Sequence, residues 1–212
     1  MEENIDELLT LLPDNECYAQ RLSQFSSLHR QLEWLSVRVL LYTMVGEHKE
    51  IVYEQSGKPF LKDGSYHISI SHTRGYVTLI LSALHPVGID IEQYSERVSK
   101  ISSRFVRSDE VPTLYKGVDT WSLLLLWSAK EVMFKCMSRV EVDFKKHLKV
   151  IPFQIAEEGV LEAQEYHTAD YILFSIHYLV QTDFVLTWCV DKALIEKSLR
   201  LRFFAITAKI LI

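Results

Sequence analysis

Asp90 and Glu92 stand one isoleucine apart at the end of the run Val87-Gly88-Ile89-Asp90-Ile91-Glu92, and a third carboxylate, Glu131, interrupts an otherwise apolar stretch. Alternate side chains of a strand share a face, so Asp90 and Glu92 point one way while Val87, Ile89 and Ile91 point the other, toward a core. Converging carboxylates are ligands for a hard cation. Mg2+ takes oxygen donors, keeps several waters and borrows further ligands from substrate phosphates, so a few protein carboxylates suffice. The implied substrate carries phosphate. Plainer readings stay open. The Asp90/Glu92 spacing also fits a solvated strand face, and Glu131 lies four residues before Lys135, where a helical ion pair contributes roughly 0.2–0.5 kcal/mol.

Other residue types point less sharply. Gly57-Lys58-Pro59 reads as a turn with a solvated lysine or as an anion contact, and Ser71-His72 as a strand end or a ligand contact. No Gly-rich phosphate loop, nucleophile elbow, His-Glu-x-x-His or Cys-x-x-Cys motif competes with the carboxylates. Cys17, Cys136 and Cys189 are too few and too scattered for a disulfide framework, which implies reduced thiols. The net charge of −5 argues against a dedicated nucleic-acid binder, whose phosphate contacts need a basic surface. An acidic N-terminal stretch and the lack of any run long enough to span a bilayer predict a cytoplasmic protein with no membrane partner.

The elements that would position these groups follow from periodicity. With 48% hydrophobic and 24% charged residues in 212, the chain has the makings of an ordinary globular core. Leu28, Leu32, Leu35, Val39 and Tyr42 recur at helical steps and predict a helix over 22–45 that stops at Gly46. Strands are predicted over 67–71, 76–84, 87–92, 148–155, 160–166, 171–179 and 184–191. Between them come a polar helix from Glu96 through Arg104, a short one opening at Ser108-Asp109-Glu110, and a strong one over 120–137. Helix, strands, helices, strands is the order of an α+β fold rather than of alternating βαβ units. A division near the loop after Met137 would give each piece several strands and a long helix, although no fixed-period repeat is present. The segment 192–212 mixes basic and apolar residues, as a docking helix or strand would.

Taken together the motifs resemble the 4′-phosphopantetheinyl transferase superfamily, in its surfactin-synthetase-activating type. The likeness is carried by Gly57-Lys58-Pro59 with Ile70-Ser71-His72, by Gly88-Ile89-Asp90-Ile91-Glu92, and by Trp127-Ser128-Ala129-Lys130-Glu131-Val132-Met133-Phe134-Lys135, with Arg104-Phe105 and Ser108-Asp109-Glu110 between the last two. The resemblance implies two similar α/β halves, 1–112 and 113–212, forming an intramolecular pseudo-dimer with the active site in the cleft between them. It implies Mg2+-dependent transfer of 4′-phosphopantetheine from coenzyme A to a serine of an acyl, peptidyl or polyketide carrier protein, by a monomer. Asp90, Glu92 and Glu131 would hold the metal. Lys58, Pro59, Ser71, His72, Lys130 and Lys135 would bind coenzyme A, and Glu110, Lys130 and Lys135 would act in catalysis, Glu110 as base. A non-catalytic coenzyme A-binding or partner-binding member of the same fold is the alternative.

Overall fold

The computed structural model describes residues 4–137 and 141–190, and the backbone of 204–209; the rest of the 192–212 tail lies outside the described residues. Three helices come first: α1 (Ile5–Thr10), α2 (Asn15–Leu22) and α3 (Leu28–Val45). The helix predicted from residue 22 begins six residues later, because Leu22 closes α2 and the chain re-enters a helix at the extended cap residue Ser27. It ends as expected at Gly46, whose φ of +78° is the left-handed geometry that glycine adopts without strain. A hairpin of β1 (Ile51–Tyr53) and β2 (Pro59–Leu61) follows, then β3 (His67–Thr73), β4 (Tyr76–Ser82) and β5 (Val87–Gln93).

The second part of the chain runs through α4 (Arg97–Ile101) and a 3-10 turn at Ser102–Arg104 to α5 (Thr120–Met137) and α6 (Phe144–His147). The strands β6 (Leu148–Val150), β7 (Glu158–Glu165), β8 (Leu173–Val180), β9 (Phe184–Val190) and β10 (Phe204–Lys209) complete it. The short helix predicted at Ser108 is a turn instead, in which the Glu110 carboxylate accepts from the Arg107 N–H at 2.8 Å. Pro112 also discourages its continuation. The strand predicted over 148–155 stops at Val150, two residues before Pro152, which has no N–H for a ladder.

The fold is α+β and its sheets are antiparallel. One has the order β10-β4-β3, another β5-β9-β8-β7-β6, and β1-β2 is a separate ribbon. Leu35 and Leu41 of α3 pack with Val77 and Leu79 of β4, each at most 1% exposed. Leu125, Val132 and Met133 of α5 are buried with Phe174 and Ile176 of β8. Ile80 of β4 meets Ile89, Ile91 and Leu186 between the two larger sheets. Each such aliphatic side chain contributes about 1.5–3 kcal/mol by leaving water. Among the described residues no helix is long and apolar enough to cross a membrane.

β5 is the element on which the site depends. As an edge strand it presents N–H groups that need acceptors, and β3 supplies them from side chains: Ile89 N donates to Ser69 Oγ (3.2 Å) and Ile91 N to Ser71 Oγ (3.3 Å). The serines two apart on β3 thus join the two sheets. On its other face β5 touches α5 so closely that a Cβ added at Gly88 would lie 2.6 Å from the Val132 carbonyl oxygen and 2.9 Å from Cys136 Sγ. Gly88→Ala is expected to push β5 off α5 and to lose about 1–3 kcal/mol of stability in urea unfolding.

Candidate functional site

Alternation along β5 sends Ile89 and Ile91 between the sheets, as predicted, and turns Asp90 and Glu92 toward α5. That second face is covered by the helix, so the solvated-face reading fails for Asp90, which is 4% exposed. Asp90 Oδ1 accepts from Ser71 Oγ at 2.9 Å and from Lys135 Nζ at 2.8 Å, and Oδ2 accepts from Ser128 Oγ at 2.8 Å. Ser128 lies 2.7 Å from Thr187 Oγ1, and the β5–β9 register sets Thr187 directly opposite Asp90. Glu92 Oε1 accepts from the Trp127 indole N–H at 2.8 Å. The Trp127 ring is in turn held edge-on by Phe105, with 5.2 Å between centroids.

The three carboxylates share one electrostatic neighbourhood. Burial, and then the charge of Asp90, push the Glu92 carboxyl up to about 7, although the Trp127 hydrogen bond opposes the rise. Glu131 is also raised, first by burial and then by Asp90, with Lys135 opposing. Raised carboxyls beside one another are groups short of positive charge. As packed, however, no three such side chains among the described residues stand close enough to cage a metal ion. The donor set still fits Mg2+, which takes oxygen ligands and completes its octahedron with water and phosphate rather than with an all-protein cage.

Lys58, Pro59, Glu131 and Lys135 come together around a cavity of about 340 Å³. His72 belongs to a neighbouring cavity of about 260 Å³ with Arg38 and Trp34, and Gly57 and Pro59 line both. There His72 Nδ1 lies 3.1 Å from the Glu33 carboxylate, which His29 also approaches at 2.9 Å. Ser71 is committed to Asp90 and Ile91 and lines neither cavity.

Glu110 and Lys130 are placed elsewhere. Their side chains are 1% and 0% exposed and form a 2.7 Å ion pair. Lys130 Nζ also donates to the Phe105 carbonyl at 2.6 Å, while Glu110 accepts from the backbone of Arg107 at 2.8 Å and of Val150 at 2.7 Å. Burial lowers the Lys130 ammonium and the Glu110 charge opposes that. Touching a phosphate or a serine requires an open approach, which neither group has in this packing. The sequence reading also overlooked Ser69, Ser128, Thr187 and Glu33. Only the two-residue spacing of Ser69 and Ser71, matching that of Ile89 and Ile91, could have signalled one of these roles.

A family model described as the 4′-phosphopantetheinyl transferase superfamily matches residues 86–189, the stretch from the approach to β5 almost to the end of β9. Residues 86–189 thus carry a domain of that superfamily. All three carboxylates, Trp127, Lys130 and Lys135 lie inside the match, whereas Lys58, Ser71 and His72 precede it. The chain is also 32% identical over 112 residues to a protein named 4′-phosphopantetheinyl transferase gsp from Aneurinibacillus migulanus. That alignment covers 50% of this chain and 46% of the relative, so the likeness spans about half of either protein.

Two outcomes follow from this packing. Lys130→Met leaves the Glu110 charge buried without its partner and is expected to cost on the order of 3 kcal/mol in urea unfolding. Adding Glu110→Gln should recover part of that loss, because the two effects are coupled. The second concerns pH. The folded protein holds the Glu92 proton up to about 7 against an ordinary 4.5, so stability present below pH 4.5 is lost as pH rises through 7. In metal-free protein Glu92→Gln should flatten that slope and gain on the order of 2 kcal/mol at pH 8, read by thermal melts across pH.

Proposed function

We propose that this protein transfers 4′-phosphopantetheine from coenzyme A to a serine of an apo carrier protein, with Mg2+. The observation that carries the reading is that, inside the family-matched stretch, burial and then the charge of Asp90 raise both Glu92 and Glu131, and Glu131 lines a cavity with Lys58 and Lys135. In this reading the serine hydroxyl gives its proton to solvent water as its oxygen bonds to the β-phosphorus of coenzyme A, the bridging P–O bond breaks, and adenosine 3′,5′-bisphosphate leaves with that electron pair. Asp90, Glu92 and Glu131 would hold the ion, which when bound supplies charge neutralisation to the diphosphate. Lys58 and Lys135 face the same cavity and would meet the phosphates, where positioning and neutralisation of charge do most of the work in phosphoryl chemistry. His72, in the adjoining cavity, would lie toward the adenosine end.

Glu110 and Lys130 take a different part from the one the resemblance implies. Bound to each other and to three backbone groups, they hold the 105–110 turn and β6 against α5. Glu110 could receive the serine proton only after leaving Lys130, so we assign the pair to positioning. We further read the chain as two halves, 1–112 and 113–212. On that division, β5 of the first half pairs with β9 of the second, and β10 of the second with β4 of the first. Free thiols at Cys17, Cys136 and Cys189 suit a reducing compartment, and we place the protein in the cytoplasm as a monomer.

The test is incubation of the protein with coenzyme A, Mg2+ and a panel of apo acyl, peptidyl and polyketide carriers, read by intact-mass spectrometry. One carrier should gain the mass of a phosphopantetheine, and Asp90→Asn should lower that rate by at least about 100-fold. Coenzyme A binding with no carrier modified would identify a non-catalytic member instead.

A further inference from the structure

We infer that Lys135 is a movable cap on Asp90. Its ammonium holds the Asp90 oxygen that a divalent cation would use, and releases it when a diphosphate enters the neighbouring cavity. The inference rests on the reading of Asp90 as a metal ligand and adds to it a coupling between the two ligands.

The geometry singles out Lys135 among the donors to Asp90. Ser71 is buried and its hydroxyl also accepts from Ile91 N, while Ser128 is buried against Thr187, so neither can leave without opening a strand or a helix contact. Lys135 sits in the last turn of α5 with its side chain 24% exposed, against 5% for Asp90. It spans both environments, since its Nζ donates to Asp90 Oδ1 at 2.8 Å and to the Ile89 carbonyl at 2.9 Å while the residue lines the cavity with Glu131 and Lys58. A four-methylene stem lets the ammonium turn from the carboxylate into that cavity by rotamer changes alone.

Charge decides when it moves. Buried carboxylates cannot be left unpaired, so a diphosphate arriving alone must draw Lys135 away from Asp90 at the cost of an uncompensated charge. A cation arriving alone must displace the ammonium. When both arrive, Lys135 gains a phosphate partner and Asp90 a replacement counter-ion, and every charge stays paired. Each ligand therefore tightens the other by the same factor, which for such couplings is on the order of 5- to 150-fold.

The experiment is calorimetric titration of Mg2+ into the wild-type protein and Lys135→Met, with and without coenzyme A. Without coenzyme A the variant should bind Mg2+ about tenfold more tightly than wild type, because the competing ammonium is gone. Its gain in Mg2+ affinity on adding coenzyme A should shrink by a similar factor. Equal or weaker Mg2+ binding by the variant in the absence of coenzyme A would overturn the cap. Failure of wild type to bind Mg2+ even with coenzyme A would instead remove the metal reading itself, and the cap with it. Should Lys135→Met not fold, Lys135→Gln, which keeps a donor without the charge, is titrated in the same way with the same expectation.

Discussion

A carboxylate with 4% exposure sits at the junction of two sheets and a helix, and it cannot be left there without donors. Asp90 obtains three from two elements: Ser71 from β3, and Ser128 and Lys135 from α5. The elements that meet at this point are the ones whose packing defines the centre of the molecule. Placing the charge therefore also fixes how β3, β5 and α5 lie against one another. A hydrophobic residue of similar size would pack there more cheaply, so a carboxylate at this place speaks for chemistry rather than stability.

The surrounding structure makes that placement exact at the level of single atoms. Gly88 lets β5 approach the Val132 carbonyl closely enough for Ser128 to reach Asp90, and the serines of β3 satisfy an edge that would otherwise need another strand. Trp127 does a related job one pair further along, tying Glu92 to the aromatic cluster of Phe105 and Phe144. Behind it the Glu110–Lys130 pair anchors the Phe105 carbonyl. Asp90 and Glu92 are thus supported by hydrogen-bonded and packed layers, the kind of preorganisation that a metal or phosphate site would need.

The residues read most accurately from the chain were those whose meaning is periodic. The alternation of β5 correctly separated Ile89 and Ile91 from Asp90 and Glu92, and the apolar character of 120–137 correctly announced a buried helix. The resemblance gives Glu110 and Lys130 reacting roles by their motif positions, yet a motif states spacing and not accessibility. Glu110 looked like the first turn of a helix, which favours acidic residues. Its carboxylate instead turned inward to a lysine 20 residues away, a pairing no local pattern encodes.

The sequence by itself determined the α+β class and which carboxylates lie on which face of their elements, because those properties depend on side-chain period and residue type along a few turns or strands. Only the tertiary structure decided that Ser69, Ser71, Ser128 and Thr187 serve β5 and Asp90, that Lys135 closes on Asp90, and that Glu110 and Lys130 neutralise each other in the core. Those contacts join residues from 19 to 59 positions apart. Their partners are chosen by which buried charge or N–H would otherwise go unsatisfied, a condition that exists only once the chain has closed around it.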